Sequence, residues 1–344
     1  MQYMWKKLIN RHNVCILVYS IDVMSFFLEK VGELAKTEIG KTMIMDRMGT
    51  DPSTLLNLSN KFVTTVKIGW GLSLLCDEKF LGRRISDYKQ SGFAVSNGGT
   101  LLEIAFSKGR LKEALHKIRE AGFDTIEMSE GILDLPPGTK SEIRDFARSS
   151  DMHLVVEVGR KNTKNQLSLD ETVDRIQAAK DLDPDVIIIE GRETGKGVEI
   201  YDMNGNIKWD WVEEILRNID LSDVMFEAPE EVQQAELVIR LGAKINLGNI
   251  SMSSAFALAS QRLGLRGDTF GISTGSDETS GGPASKFILF LLQQNGPMDQ
   301  GRIAGITGLS RRTVQNALSN LITDGRIHER PDLHDMRRKV YSIK

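Results

Sequence analysis

The chain has 344 residues, of which 40% are hydrophobic and 26% are charged; this supports a buried core and excludes a disordered or fibrous protein. Its two cysteines, Cys15 and Cys76, are too few and too far apart for a disulfide framework or a cysteine-based zinc site, which favours a reducing, cytoplasmic location. The net charge of −3 divides into −8 for residues 1–283 and +5 for residues 284–344, so the two parts should face different partners.

Residues 1–36 are predicted to form an N-terminal extension that includes a helix. Their apolar run, residues 14–27, contains an aspartate and is shorter than the roughly 20 residues that span a bilayer, so no membrane role is expected. No small-residue cleavage site follows the run, which disfavours a signal peptide. Met24 begins a segment typical of a helix start, so residues 1–23 are either an extension or an over-extended reading frame.

Between about residues 41 and 248, short apolar or β-branched runs alternate with longer helical patterns, as in parallel βα units. The predicted strands are 42–46, 63–68, 92–96, 125–129, 153–158, 185–190, 224–227 and 243–247. Runs such as residues 186–189 are continuously apolar, which indicates strands buried on both faces. We therefore predict an α/β protein with a (β/α)8 TIM barrel over residues 37–271; a doubly wound sheet is the alternative.

Helical patterns lie between these strands. The predicted helices are 110–121, 140–149, 170–179, 209–217 and 230–241. Ser168 is a candidate N-cap, and Gly122 and Gly242 follow two of the helices as C-cap glycines do.

Polar side chains end almost every predicted strand, where a TIM barrel places its active site. The residues at these strand-end positions are Asp46, Lys67, Gly98, Gly99, Thr100, Glu127, Glu157, Lys161, Glu190, Arg192, Glu227, Asn246 and Asn249. Burying unpaired charges is costly, so packing alone does not require such a set. Carboxylates mixed with cations fit a Mg²⁺-assisted reaction on an anionic ester. For any single residue, an ion pair with a neighbour is the structural alternative.

Two glycine-containing segments, 98–100 and 266–269, are typical of backbone nests or helix starts that cradle phosphate, although tight turns explain most such glycines. The glycines among charges in residues 190–197 predict a mobile loop that closes over substrate. This loop lacks Walker-type spacing, which disfavours nucleotide binding.

Eight segments taken together resemble the phosphosulfolactate synthase family of barrel enzymes over roughly residues 37–271. They are KIGWG at 67–71, GGTLLE at 98–103, GFDTIE at 122–127, EVGRK at 157–161, IEGRETGKG at 189–197, FEAP at 226–229, NLGN at 246–249 and GLRGDTFG at 264–271. Their number and order make the resemblance specific, which the separate motifs would not.

The resemblance implies Mg²⁺-dependent addition of sulfite to phosphoenolpyruvate, which gives phosphosulfolactate in coenzyme M biosynthesis. Lys161 is then the expected general acid, with a pKa lowered by a metal and by other cations, and Glu157 and Glu190 are further catalytic candidates. The expected metal ligands are Glu157, Glu190 and Glu227. The expected substrate contacts are Lys67, Gly98, Gly99, Thr100, Arg192, Asn249, Arg266 and Gly267. A homo-oligomer is also expected.

Residues 272–283 are polar and glycine-rich, which predicts a flexible linker. Beyond it, residues 284–344 show three helical patterns (286–294, 300–307 and 310–323) and two strand patterns (326–330 and 338–343). This arrangement, with Ser310 as an N-cap, resembles the winged-helix family that is common in archaeal regulators.

In that family the third helix enters the DNA major groove and the wing contacts the backbone. The residues expected to contact DNA are Arg311, Arg312, Thr313, Gln315, Asn316, Arg330, Arg337, Arg338 and Lys339. Dimerisation or protein docking is the alternative role for the domain.

Three hypotheses therefore remain from the sequence. The first is a synthase of the resembled type, the second a metabolite-sensing DNA-binding regulator whose barrel binds a ligand, and the third a barrel enzyme of altered substrate.

Overall fold

The computed structural model describes residues 38–269, 283–331 and 338–343. Eight parallel strands close into a barrel in chain order: β1 Thr42–Asp46, β2 Thr65–Ile68, β3 Ala94–Ser96, β4 Thr125–Ser129, β5 His153–Val158, β6 Val186–Ile189, β7 Val224–Glu227 and β8 Asn246–Ser251. Because β1 pairs with both β2 and β8, the sheet has no edge. The predicted TIM barrel is confirmed and the doubly wound alternative is excluded.

Helices follow the strands: α1 Ser53–Leu56, α2 Glu78–Gln90, α3 Thr100–Ser107, α4 Leu111–Glu120, α5 Pro137–Ser149, α6 Leu169–Lys180, α7 Trp209–Asn218, α8 Glu231–Leu241 and α9 Ala255–Arg262. The predicted caps are present. Ser168 forms a capping box with Glu171 at the start of α6, and Gly242 ends α8 with φ 88°.

The last barrel strand lies later in the chain than the sequence pattern predicted. Residues 243–247 were the expected strand, whereas β8 runs from Asn246 to Ser251. The β1–β8 register shifts after Thr42, and Asn249 has φ 55°, which marks a bulge. Asn246 consequently lies at the amino-terminal end of β8, where its side chain bonds to backbone groups, and only Asn249 reaches the carboxyl end.

The barrel interior changes character along its axis. Its amino-terminal half holds an apolar cluster of Met43, Val155, Val186, Ile188 and Met225. A larger apolar layer lies between strands and helices. The carboxyl half of the interior is instead occupied by buried charged side chains.

The C-terminal domain has its own hydrophobic core. Its elements are α10 Pro283–Asn295, β9 Met298–Asp299, α11 Gln300–Thr307, α12 Arg311–Thr323, β10 Ile327–Pro331 and β11 Lys339–Ile343, with strand order β10-β11-β9. This confirms the winged-helix prediction. The two-residue strand β9 was not predicted because it is too short to produce a periodic pattern.

Several predictions fall on other parts of the chain. The extension at residues 1–36, its apolar run, nearly all of the predicted linker, and Arg337 lie outside the described residues. Within the described ranges, no helix combines the length and apolar character needed to cross a bilayer.

Candidate active site

Strand alternation brings charged residues to one level of the barrel. Side chains two residues apart on a strand share a face. Ile188 and Met225 belong to the apolar interior cluster, and Glu190 and Glu227, two residues further along, line a cavity at the carboxyl end. The same spacing places Glu157 two residues after Val155. The charged side chains therefore form a layer at the carboxyl end of the barrel interior, next to the apolar cluster.

The cavity at this end of the barrel has a volume of about 320 Å³. Its lining residues are Met45, Lys67, Gly69, Trp70, Gly98, Gly99, Thr100, Glu127, Ile132, Glu157, Lys161, Glu190, Arg192, Glu193, Glu227 and Asn249. All the predicted catalytic and metal-binding residues therefore meet at one cavity, and so do six of the eight predicted substrate contacts.

Lys67 is buried among three glutamates. Its Nζ donates hydrogen bonds to Glu227 at 2.8 Å, Glu127 at 3.1 Å and Glu157 at 3.3 Å. Burial would lower the pKa of Lys67, but the three carboxylates raise it well above its usual value. An ammonium group has three donors, and all are used here. Lys67 therefore has no donor left for a substrate anion, contrary to the predicted contact.

Lys161 lies at the side of the same cluster and is about a third exposed. Its Nζ donates to Thr100 Oγ1 at 3.1 Å and lies 3.0 Å from Glu157 Oε1 and 3.6 Å from Glu190 Oε2. Burial acts to lower the pKa of Lys161, but the charges of Glu157 and Glu190 outweigh it and raise the pKa above the usual value. The sequence did not show that both carboxylates lie beside the amine, and the expected lowering of the pKa by a bound metal stays a prediction.

Glu157, Glu190 and Glu227 each offer an oxygen, and these three oxygens lie within 4.8 Å of one another. Burial and the neighbouring charges of Glu157 and Glu227 raise the pKa of Glu190 well above its usual value. Glu190 Oε2 is buried without a hydrogen-bond partner. Three carboxylate oxygens at this spacing could hold a divalent metal ion, and oxygen ligands of this kind suit Mg²⁺.

Arg192 is held at the rim through its backbone. Its N–H donates to Glu190 Oε1 at 2.7 Å, and its carbonyl accepts a hydrogen bond from Asn249 Nδ2 at 2.7 Å. Asn249 also donates to Glu227 Oε2 at 3.3 Å. Arg192 and Asn249 both have positive φ, at 56° and 55°. These bonds place an arginine beside two glutamates and leave its guanidinium group partly exposed in the cavity.

Hydrogen bonds connect the segment after Arg192 to strand β7 and helix α8. Tyr201 donates to the carbonyl of Glu227 at 2.7 Å, and Gln233 Nε2 donates to the carbonyls of Gly195 and Gly205. The sequence could not show these distant partners, and the mobility expected for residues 190–197 stays a prediction.

Gly98 and Gly99 line the cavity but do not form an open anion nest. The N–H of Gly98 donates to Ser96 Oγ and that of Gly99 to Glu127 Oε1 at 2.8 Å. A Cβ on Gly99 would lie 2.3 Å from Ser129 Oγ. These glycines are therefore required for close packing, and Thr100 is the residue of this segment whose side chain contacts the cluster.

Arg266 and Gly267 do not line the cavity. The Arg266 guanidinium pairs with Asp268 at 2.9 Å and with Glu231 at 3.3 Å. Asp46 is likewise a structural residue, because its carboxylate accepts hydrogen bonds from Arg84 and Tyr88. Ion pairs with neighbouring side chains therefore account for the charges of Arg266 and Asp46.

Glu103, which was not among the predicted site residues, fixes the surroundings of Lys161. Its buried carboxylate accepts hydrogen bonds from Ser129 Oγ at 2.5 Å and from the N–H groups of Ile132 and Leu133. The loop that contains Ile132 and Leu133 also contains Gly131, whose carbonyl accepts a hydrogen bond from the backbone N–H of Lys161 at 3.0 Å. An acid in the first turn of a helix normally indicates a dipole interaction, so no pattern in the sequence pointed to this role.

Trp70 and Ile132 were also missed, since large apolar residues in a sequence usually indicate core. Both are substantially exposed, at 48% and 60%, and both line the cavity. Arg47 stacks on the Trp70 ring at 4.9 Å. The cavity rim is therefore partly apolar.

In the C-terminal domain, Arg311, Arg312, Gln315 and Asn316 are exposed on α12, whereas Thr313 is partly buried near the N-cap Ser310. Residues Arg330, Arg338 and Lys339 are exposed in the wing, where Lys339 pairs with Glu329 at 2.7 Å.

Comparison with known proteins gives two family matches. Residues 33–268 match the family described as (2R)-phospho-3-sulfolactate synthase (ComA), and residues 287–328 match the family described as winged helix-turn-helix DNA-binding.

Three relatives carry the name phosphosulfolactate synthase. The protein of Methanocaldococcus jannaschii is 35% identical over 237 residues, which are 67% of this chain and 94% of its own length. That of Methanothermobacter thermautotrophicus is 30% identical over 67% of this chain and 92% of its own length. That of Bacillus subtilis is 34% identical over 62% of this chain and 84% of its own length. The segment that matches the synthase family model, residues 33–268, covers the barrel and not the C-terminal domain.

Proposed function

The chain belongs to the phosphosulfolactate synthase family, and we propose on this basis that its barrel catalyses the Mg²⁺-dependent addition of sulfite to phosphoenolpyruvate. The product would be phosphosulfolactate, a precursor in coenzyme M biosynthesis. The observation that carries the proposal is the buried layer in which three mutually close glutamates adjoin Lys161. A metal site and a proton donor at one cavity are what this reaction needs.

Glu157, Glu190 and Glu227 would hold the metal. If every group in the buried layer is ionised, four carboxylates and two ammonium groups leave an excess of two negative charges, which a divalent cation neutralises. When bound, Mg²⁺ would supply positive charge that stabilises a developing negative charge on the substrate carboxylate.

The chain's own cations bind the substrate and provide the proton. The sulfur lone pair of sulfite forms a bond to C3 of phosphoenolpyruvate, and the electrons of the C2–C3 double bond move toward the carboxylate. The Lys161 ammonium then gives a proton to C2 and regains one from solvent. The neighbouring carboxylates keep Nζ protonated before the reaction, and Thr100 orients it. Arg192, whose guanidinium group lines the cavity and pairs with Glu193 at 3.3 Å, would contact the phosphate or carboxylate group.

The test is product formation followed by phosphorus and proton NMR in D₂O with phosphoenolpyruvate, sulfite and Mg²⁺. We expect phosphosulfolactate with deuterium at C2, loss of turnover with a chelator, and a loss of roughly 100-fold or more for Lys161→Met. Lys164→Met, an exposed neighbour, is the matched control and should keep wild-type turnover. Full turnover by Lys161→Met would remove the general-acid role. Absence of product with the wild type would favour the altered-substrate or sensor hypothesis.

We also propose that the C-terminal domain binds DNA. The exposed arginines of α12 and the net charge of +5 over residues 284–344 support this. Gel retardation of duplex DNA should weaken with salt and weaken further for an Arg311→Ala/Arg312→Ala double variant. Equal retardation by that variant would argue against α12 as the contact. Retardation that depends on phosphoenolpyruvate without turnover would instead support the metabolite-sensing regulator.

A further inference from the structure

The three hydrogen bonds of Lys67 end on carboxylates, and two of these carboxylates belong to the metal-binding set. Lys67 Nζ lies 2.8 Å from Glu227 Oε1 and 3.3 Å from Glu157 Oε2. Its side chain is only 4% exposed. Lys67 lines the cavity, but its ammonium group is paired with carboxylates of the buried layer.

The third carboxylate, Glu127, is fixed independently of Lys67. Its Oε1 accepts the N–H of Gly99 at 2.8 Å, and its Oε2 lies 3.5 Å from Ser96 Oγ. Glu127 is not among the three close metal-binding carboxylates. Glu127 therefore accepts a hydrogen bond from Lys67 without belonging to the set of three close carboxylates.

We propose that Lys67 is a built-in cation that competes with the divalent metal ion for Glu157 and Glu227, and that Glu127 limits this competition. The pair Lys67 and Glu127 would thus set the metal affinity of the barrel. The inference rests on the metal site of the proposed function and concerns how tightly that site binds the metal ion. Lys67 is then a positioning residue without direct contact to substrate.

The physical argument is one of charge at short range. A lysine that hydrogen-bonds to a carboxylate satisfies that oxygen and cancels its field, so a metal ion that binds there must displace or share the contact. Replacing Lys67 by methionine keeps an unbranched side chain that is one atom shorter, and it removes the competing charge. Replacing Glu127 by glutamine leaves Lys67 balanced by the metal ligands alone.

The experiment measures Mn²⁺ binding to the substrate-free, full-length chain by electron paramagnetic resonance titration, so that no activity is needed. Lys67→Met should lower the Mn²⁺ dissociation constant by about tenfold or more, and Glu127→Gln should raise it by a similar factor. The double variant, which conserves the formal charge, should lie near the wild type. Lys140→Met, which removes a lysine paired with Glu130 at 2.7 Å and lying outside the cavity, should bind as the wild type does.

The closing comparison separates the inference from the proposed function. Glu190→Gln does not disturb Lys67 and should weaken Mn²⁺ binding; unaltered binding there would refute the metal site itself. If Glu190→Gln weakens binding but Lys67→Met leaves the dissociation constant unchanged or raises it, the competition is refuted and the metal site stands. Should Lys67→Met fail to fold, the double variant is compared with Glu127→Gln. Tighter binding by the double variant supports the inference, and equal or weaker binding refutes it.

Discussion

Replacing Asn249 by glycine and by alanine separates the backbone conformation of this residue from the contacts of its side chain. Its Nδ2 connects the carbonyl of Arg192 with the carboxylate of Glu227, and its backbone has φ 55° in the β8 bulge. Glycine adopts this conformation without strain and alanine does not. Both replacements remove the side-chain bonds.

The expected losses follow from these contacts. Asn249→Gly deletes two hydrogen bonds and leaves the partly buried Arg192 carbonyl unpaired, which should lower the free energy of unfolding by about 2 kcal/mol. Asn249→Ala adds the strain of a positive φ and should lose about a further 1 kcal/mol. At roughly 2–4 °C per kcal/mol for a domain of this size, the Tm should fall by about 4–8 °C for glycine and more for alanine.

Urea denaturation followed by circular dichroism measures the stabilities, and steady-state kinetics measures the KM for phosphoenolpyruvate. Because Arg192 loses one of its two backbone hydrogen bonds in both variants, KM should rise for both. If the glycine variant is as stable as the wild type, the side-chain bonds contribute nothing. If alanine is more stable than glycine, the bulge conformation does not constrain this residue.

Three further changes test other parts of the structure. Gly99→Ala puts a Cβ 2.3 Å from Ser129 Oγ and should lower the free energy of unfolding, measured by urea denaturation, by about 2–3 kcal/mol. Gly267→Ala, whose Cβ would have no atom within 4 Å, is the control and should change it by no more than about 0.5 kcal/mol. Equal effects would contradict the packing argument. Burial raises the pKa of Glu199 to about 7 from 4.5, so the folded state binds its proton more tightly, and this contribution to stability is present below pH 4.5 and lost as pH rises through 7. Glu199→Gln should therefore gain about 2–3 kcal/mol on the wild type between pH 5 and pH 8 by thermal melting, and a pH-independent difference would refute this. Glu103→Gln cannot accept all three hydrogen bonds of its loop, so kcat should fall about tenfold with KM for phosphoenolpyruvate unchanged, and a KM effect alone would point to a different role.

The alternation of side chains along a strand explains why most of the site could be predicted. Glu157, Glu190 and Glu227 were assigned to strand ends because each follows a short apolar run. In a closed parallel barrel every strand end reaches the same face, so strand assignment alone brings these residues together. That inference needs only local patterns and the topology of the fold.

Which charges would pair with each other could not be predicted in the same way. Lys67 was expected to contact substrate and instead gives all three donors to glutamates from three other strands. Arg266 was expected at the cavity and pairs with Glu231 and Asp268. Each outcome depends on distances of a few ångströms between residues far apart in the chain.

The amino-acid sequence by itself determined the two-part architecture, the parallel barrel and the set of residues that end its strands, because hydrophobic periodicity, caps and turns act over short stretches of chain. Only the tertiary structure decided the bulge at Asn249, the counter-ion position of Lys67 and the raised pKa of Lys161. Electrostatic energy and burial depend on the separation of groups in space, and closing the barrel is what sets those separations.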